Sequence, residues 1–386
     1  MKIPKKIKSL FLLNNNIVYL NHGSFGACPK PIFNSLLKWQ TTLENQPVQF
    51  LVEDCEKLMY NSRKSLSSFI DCNPDDIVFF QNPTTAINEI VRSIAIEKGD
   101  EILSTDHEYG AMDRTWDFIC NKKGATYIKS QVTMPVSNKK KFVDEFLSRV
   151  TKKTKIIFLS HMTSSTGLYF PIKEICDFAR ENNIFSIIDG AHIPGHFPLS
   201  LNTIKPDVYV GACHKWLLCP KGVSFLYVNK KYQNNIDPLI ISWGYQSDFP
   251  SHSQFQDYHL WQGTRDISPF LTIPDAIKFR QDYNWNAISK ECKKNIIKTR
   301  IEIHNIINNP PLVENNIEQW LGQMCSFEVN YPDDLKLKNI LINDYNIEIP
   351  VMKWKNKTLM RISLNGYNTN NDVDKLLTVL KKVVNN

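Results

Sequence analysis

The sequence predicts an α/β protein whose larger domain is built on a mainly parallel sheet. Two observations carry this. From about Phe69 to Val228, short apolar runs alternate with helix-like segments, the pattern of repeated strand–helix units. Those runs also lack a polar residue at every second position, as expected of strands buried on both faces.

Taken in order, Asp76–Gln81 (DIVFFQ) reads as a strand and TTAINEIVRSIAI after it as a helix. DEILSTDHEYG is the next strand, followed by AMDRTWDFICNKKG, a helix that ends at Gly124. KTKIIFLSHMTSSTG is a strand with its loop, and PIKEICDFARENN a helix. IFSIIDGAH and DVYVGACHKW are two further strands. After Pro269 the pattern changes: FLTIPDAIKFRQDYN reads as one long helical stretch, then strands and helices mix in a segment rich in Asn and Ile. A chain of 386 residues exceeds one simple core. The expected division is a large α/β domain over residues 20–262 and a smaller α+β domain formed by residues 1–19 with 263–386.

Composition narrows the function. Hydrophobic residues at 42% and charged residues at 22% describe a soluble globular chain. The formal charge of +7 comes from 46 basic and 39 acidic side chains spread along the sequence. The densest run, Lys139–Lys141, follows Ser137 and Asn138 and reads as a solvated loop, so no nucleic-acid partner is expected. Nine scattered cysteines without a CxxC pair point to reduced thiols, a cytoplasmic location and no metal site. The apolar patch after the N-terminal lysines is too short for a signal-peptide core, and no window approaches the ~20 apolar residues of a membrane span.

Ligands of open α/β sheets bind beyond the carboxyl ends of the strands. Here those ends are polar: Gln81-Asn82, Asp106-His107-Glu108-Tyr109, Ser160-His161, Asp189-Gly190-Ala191-His192 and Cys213-His214. Asp189 closes the apolar run IFSII and needs a partner. It suits a helix N-cap, a structural ion pair, or the pyridinium nitrogen of pyridoxal phosphate. Lys215 stands between two apolar runs in VYVGACHKWLLCPKGVSFLYV, where an unpaired ammonium is costly. Either the side chain snorkels out or its amine is tied up as a Schiff base that later carries protons. NPTTAINEI places Thr84, Thr85 and Ala86 at a helix start suited to a phosphate, with Thr84 also readable as the N-cap.

SIIDGAH followed by GACHKW and PKG resembles the class V aminotransferase family of fold-type I pyridoxal-phosphate enzymes, in particular its branch of isopenicillin-N epimerases and carbon–sulfur lyases. YLNHGSFGACP, TDHEYGAMDRTW, SHMTSSTG, WQGTRD and LMRISLNGYNT extend the likeness from about Tyr19 to the C-terminus. The resemblance implies a fold-type I transferase architecture, with a seven-stranded sheet in the large domain and a smaller α+β C-terminal domain. It implies pyridoxal 5'-phosphate as cofactor, with Lys215 as the Schiff-base lysine and Asp189 as the pyridinium partner. Tyr109 falls where the family stacks a ring on the cofactor, with His107 a second candidate for the pocket. His192 stands where desulfurases carry glutamine, near the phenolic oxygen. His214 would add a phosphate donor. Ala212 replaces a serine and Ser164 an asparagine of the desulfurases, with Ser164 still placed by the cofactor. Gly263 and Thr264 would reach the phosphate from a second subunit, which implies a homodimer with shared sites. Arg361 matches the carboxylate clamp, Arg265 is left between a second acid group and an interface salt bridge, and Asn21 and His22 line the entrance. Trp216, Trp243 and Trp261 read as packing.

The shared chemistry is loss of a proton from Cα of an amino-acid substrate, with Lys215 as base. Epimerisation, β-elimination and transamination diverge afterwards, and fold does not choose among them. A cysteine desulfurase needs a mobile cysteine ahead of the carboxylate arginine, and IEIPVMKWKNKTLM before Arg361 has none. Cys325 lies in GQMCSFEV, which reads as a buried strand, and Cys213 and Cys219 read as core thiols. An epimerase or C–S lyase is therefore expected. An aminotransferase, a desulfurase-like enzyme and a non-catalytic dimeric relative are the alternatives.

Overall fold

The computed structural model describes residues 5–383, so residues 1–4 and 384–386 of the expected small domain lie outside the described residues. Seven strands form the central sheet: β1 (Ile77–Phe80), β2 (Glu101–Thr105), β3 (Thr126–Ser130), β4 (Thr154–Ser160), β5 (Phe185–Asp189), β6 (Val208–Ala212) and β7 (Ser224–Val228). Their spatial order is β1-β7-β6-β5-β4-β2-β3. The pairs β2–β3, β2–β4, β4–β5 and β5–β6 are parallel, while β7 runs antiparallel to both its neighbours. The mainly parallel expectation holds, and a second, smaller sheet lies toward the C-terminus.

The missing polar alternation has a direct cause. Successive strand residues enter two different cores, one on each face of the sheet. Phe80, Ile102, Phe158, Ile187, Val210 and Leu226 pack on one face. That face is covered by α2 (Pro83–Ser93) and α3 (Gly110–Lys123), through residues such as Ile87, Ile90 and Trp116. Phe79, Leu103, Ile157, Ile188, Tyr209 and Phe225 pack on the other. There α1 (Cys55–Ile70) and α5 (Ile172–Glu181) supply Met59, Leu66, Ile175 and Ala179. Each such aliphatic or aromatic side chain contributes roughly 1.5–3 kcal/mol when fully buried. The helix predicted to stop at Gly124 does so, with Gly124 in the left-handed conformation at φ 71°.

Four elements depart from the sequence reading. Lys139–Lys141, read as a solvated loop, open helix α4 (Lys139–Leu147), because Asn138 caps its start by accepting the Lys141 N–H. Edge strand β3 carries exposed Thr126 and Lys129, so it lacks the apolar run that reveals its neighbours. The stretch after Pro269 is two helices, Ser268–Leu271 and α6 (Ile273–Asp282), because Pro274 starts the second. The Asn- and Ile-rich segment opens with one long helix, α7 (Trp285–Ile307), before α+β structure begins. There, β8 (Met324–Val329), β9 (Val351–Trp354) and β10 (Lys357–Ser363) form an antiparallel sheet in the order β9-β10-β8, and Asn370–Val383 closes the described chain as α8. Val18–Tyr19 pairs in parallel with Ile347–Glu348, joining the N-terminal arm to this region. Among the described residues no helix is long and apolar enough to cross a membrane, and no group of side chains is placed to hold a metal ion.

The arm also touches the loop after β6. Gly26 has φ 68° and ψ 173°, a region that only glycine occupies without strain. A Cβ there would lie 2.2 Å from the carbonyl oxygen of His214 and 2.9 Å from that of Lys215. Gly26→Ala should therefore cost at least the ~1–3 kcal/mol of the dihedral strain, read as a lower thermal midpoint. An unchanged midpoint would show that the arm does not press on the Lys215 loop.

Candidate active site

The carboxyl ends of the parallel strands open into a cavity of about 510 Å³. Its wall includes Thr84, Tyr109, Ser164, Asp189, His192, His214 and Lys215 from the sequence-predicted set. It also includes Ser24, Ser160 and Lys221, which sequence reasoning did not assign.

Asp189 ends β5 with 5% of its surface exposed, and its Oδ1 accepts the Ala191 N–H at 2.9 Å. Burial pushes its carboxyl above the usual range; the Ala191 amide and the Lys215 amine only partly offset this. Lys215 leaves the end of β6. Burial is the main cause bringing its amine down to about 8, with Asp189 pulling the other way and Arg361 reinforcing the drop. A substantial fraction is then the free amine at neutral to mildly basic pH, the form that attacks carbonyls.

His192 joins the two ends of this arrangement. Trp216 Nε1–H donates to His192 Nδ1 at 3.4 Å, so the neutral ring carries its proton on Nε2, 3.3 Å from Lys215 Nζ. Trp216 is thus a hydrogen-bond donor as well as a packing residue. Behind it, Gln323 N–H donates to His196 Nε2 at 2.6 Å, and His196 Nδ1–H donates to the His192 carbonyl at 3.1 Å. Burial holds both imidazoles well below their ordinary value.

The N-terminus of α2, also on the cavity wall, is capped by Asn82 rather than Thr84. Asn82 Oδ1 accepts from the Thr85 amide at 2.9 Å and the Thr85 hydroxyl at 3.1 Å. The Ala86 N–H turns back to the Asn82 carbonyl, and Ala86 is fully buried. Of the three predicted phosphate contacts, Thr84 reaches the cavity, while Thr85 and Ala86 are spent on closing the helix end. His214 also departs from expectation. Its Nδ1–H is used on the Val223 carbonyl at 2.9 Å, and burial lowers the ring to about 4. The remaining Nε2 of the neutral ring is an acceptor, and becomes a donor only if an anion draws in a second proton.

Arg361, on β10, is 2% exposed and stands just behind the wall. Its guanidinium donates to the Ser164 carbonyl at 2.6 Å and to Ser24 Oγ at 2.8 Å, and its Nε–H has no partner. Burial lowers it to about 10, with only Tyr19 opposing. A buried guanidinium on neutral acceptors, with no carboxylate in ion-pair contact among the described residues, is a cation awaiting an anion.

Several predicted residues lie elsewhere. Asn21 and His22 do not line the cavity; their neighbours Gly23, Ser24 and Phe25 do. His22 is fully buried beneath the lysine, with Nε2 3.1 Å from the Lys215 carbonyl oxygen and Nδ1 3.0 Å from the Tyr367 hydroxyl. His107 faces Thr166, 2.8 Å from its hydroxyl, and Trp354, away from the cavity. Arg265 is bound locally to Gln262 and the Leu260 carbonyl. Gly263 and Thr264 lie on the loop beside it, outside this chain's own cavity wall. Trp243 is 86% exposed, contrary to the packing reading, while Trp261 is half-buried against the core.

Glu108 escaped the sequence reading, although its strand end was singled out. It is buried beside the cavity, accepting from Thr105 Oγ1 at 2.6 Å and from Ser160 N–H at 2.9 Å. Burial drives its carboxyl up to about 8 against those hydrogen bonds. Only the fold reveals that burial.

These features fit pyridoxal phosphate: one cavity brings together a buried carboxylate without an ion-pair partner, a partly deprotonated amine and a helix N-terminus, with a buried cation lacking a counter-ion just behind its wall. They also set a pH dependence. Burial depresses His22 and His161 to about 3 and His107 and His214 to about 4, and it lowers His192, His196 and His304 too. Below the ordinary histidine value near 6.5 the unfolded chain binds protons that the folded chain refuses, so this stability is present above about pH 6.5 and is lost as pH falls toward about 4. Glu108, Asp189, Asp76 and Asp207, raised by burial, act in the opposite sense but are fewer. Denaturant titrations of the cofactor-free protein should give a lower midpoint at pH 5.5 than at pH 7; the reverse order would contradict the neutral, buried imidazoles.

Comparison with known proteins points the same way. The pattern of the family described as aminotransferase class V matches residues 27–376. Isopenicillin N epimerase of Amycolatopsis lactamdurans is 28% identical over 385 residues, which cover 96% of this chain and 96% of that protein. L-cysteine desulfhydrase of Arabidopsis thaliana is 22% identical over 95% of this chain and 88% of its own length. Among solved structures, the apo cysteine desulfurase of Thermococcus onnurineus NA1 shares the fold with a TM-score of 0.85 at 18% identity, covering 100% of this chain and 99% of that one. The cystine C–S lyase C-DES, in complex with cysteine persulfide, does so with a TM-score of 0.80 at 20% identity, over 95% of this chain and 98% of its own.

Proposed function

We infer, from the fact that this chain belongs to the class V aminotransferase family and from the cavity just described, that it removes the Cα proton of an amino acid and completes an epimerisation or a C–S lyase reaction. The chain is a pyridoxal-phosphate enzyme. The observation that carries the reading is the placement of the Lys215 amine in one cavity with the buried Asp189 carboxylate.

Bound here, pyridoxal phosphate supplies an aldehyde for amines and an electron-withdrawing ring that acidifies the substrate's Cα–H bond. Lys215 would hold the cofactor, and its Nζ would take and return the Cα proton; an amine near 8 is matched to that work. Asp189 offers its carboxylate to the ring nitrogen, a cation that relieves the cost of its own burial. His192 Nε2–H donates on the Lys215 side, Tyr109 provides the stacking ring, and Thr84 with the α2 N-terminus takes the phosphate. Ser164 and Ser24, both on the cavity wall and both bonded to Arg361, would stand beside the substrate carboxylate that Arg361 would draw in. The large domain (residues 20–262) thus carries the cofactor, and the smaller one (residues 1–19 and 263–386) brings Arg361.

Among the described residues no cysteine lines the cavity. Cys325, Cys213 and Cys219 are buried with raised thiol values, so none is placed to take sulfur from a substrate. That favours epimerase or lyase chemistry over desulfuration. The test is to supply a panel of amino acids, including sulfur-bearing ones, in deuterated water. Exchange at Cα with racemised product identifies an epimerase; keto acid with sulfide or thiol identifies a lyase. Lys215→Ala should abolish both and the protein's visible absorbance band. Turnover surviving in Lys215→Ala, or no exchange with any amino acid, would overturn the assignment.

A homodimer with shared sites accords with a run of exposed apolar side chains, Ile241, Trp243 (86% exposed) and Phe249 (92%), together with Phe25 (65%) at the cavity wall. Gly263 and Thr264 then serve the partner's phosphate site. Free cysteines throughout favour a reducing compartment, the cytoplasm. Sedimentation should give twice the chain mass, and Trp243→Arg should shift it toward one copy; a monomeric wild type would refute the shared site.

A further inference from the structure

A second cavity, of about 480 Å³, lies where the loop after β5 meets α6 and α7. It shares no wall residue with the active-site cavity. Its wall carries three cations, Arg280, Lys290 and Lys293, and no carboxylate.

Arg280 is 6% exposed. Its two terminal nitrogens donate to the carbonyls of Trp216, at 2.9 Å, and Gly195, at 2.8 Å, while its Nε–H has no hydrogen-bond partner. None of the ion pairs among the described residues includes it. Carbonyl dipoles orient a guanidinium but leave its charge unneutralised, and a buried charge without a counter-ion is expensive. Lys293 is half-buried, with its Nζ on the Glu318 carbonyl at 2.6 Å and only a weaker pull from the Glu318 carboxylate. Ser289, also on the wall, has a buried hydroxyl without a partner. Lys290 and Asn286 stand exposed on the same wall, so the cavity is reachable from solvent.

Two unpartnered donors, a buried guanidinium and two ammonium groups around one space of small-molecule size form an anion receptor. The wall itself is specified by the sequence: a Cβ at Gly322 would lie 2.3 Å from His196 Nε2, so glycine is required where the β8 approach meets this loop. We propose that this cavity binds a small oxyanion-bearing molecule, a phosphate or carboxylate group held by Arg280, Lys290, Lys293 and the Ser289 hydroxyl. The inference is independent of which reaction the active site performs.

Calorimetric titration of the holoenzyme with inorganic phosphate, and separately with malonate, tests it; bound cofactor already fills the phosphate site of the main cavity. Saturable binding of either anion is expected, weakened at least tenfold in the double variant Lys290→Ala/Lys293→Ala and at least threefold in Ser289→Ala. The same binding should persist in Arg361→Lys, which separates it from the substrate site. The two probes distinguish a phosphate from a carboxylate head group. All substituted positions are exposed or half-buried except Arg361, and an unchanged thermal midpoint verifies that the lysine variants fold. Absence of saturable binding by both anions, binding undiminished in the double lysine variant, or binding lost with Arg361→Lys would each overturn the proposal.

Discussion

An amine kept inside a protein, away from bulk water, has a depressed proton affinity unless a charge compensates it. At Lys215 the compensation is deliberately partial. Asp189 pulls the amine toward the charged form, while burial and Arg361 push it the other way, and the balance lies near 8. Its hydrogen-bond partner is the neutral His192 Nε2 at 3.3 Å, not a carboxylate that would lock the ammonium in place. The same burial leaves Asp189 short of a cation. Each group therefore carries an unmet requirement, the amine short of a full counter-charge and the carboxylate short of a cation.

The rest of the chain holds that geometry from behind. His22, from the N-terminal arm, meets the Lys215 carbonyl, and Gly26 lets the arm pass against the same peptide. Arg280, from α6, fastens the next carbonyl, that of Trp216, and the Trp216 indole fixes the tautomer of His192. The lysine is thus clamped by the arm, by a linking helix and by its own neighbour. These supports are mostly neutral imidazoles and backbone carbonyls, so they tie the fold's stability to pH values at which histidine stays uncharged.

Arg361 belongs to a different sheet, yet its guanidinium ends beside Ser24 and Ser164 at the cavity wall. A residue held by neutral acceptors retains its full attraction for a carboxylate. The packing of the two sheets, not either one alone, sets where that unneutralised guanidinium meets the cavity wall. Arg280 obeys the same logic in the second cavity, with carbonyls providing orientation and leaving charge to be met from outside.

Much of this was legible in the sequence, for identifiable reasons. The apolar runs declared strands covered on both faces, and the polar residues ending them declared one crevice, so Asp189, His192, Tyr109 and Lys215 could be grouped before any coordinates. Elements whose signal is partial were missed: edge strand β3, half exposed, and α7, whose pattern was lost in an Asn-rich stretch. What only the tertiary structure decided is which donors are already spent. Asn82 takes the Thr85 amide, the Val223 carbonyl takes the His214 proton, and His22 turns to the lysine's backbone instead of the entrance. Residue type and order determine which chemistry is present, because they follow from local periodicity and strand ends. Burial, and allegiances such as that of His22 to a carbonyl 193 residues away, depend on groups far apart in the chain; even the local choices of Asn82 and His214 depend on the exact course of the backbone, and these decide proton affinity and hence the role each residue can play.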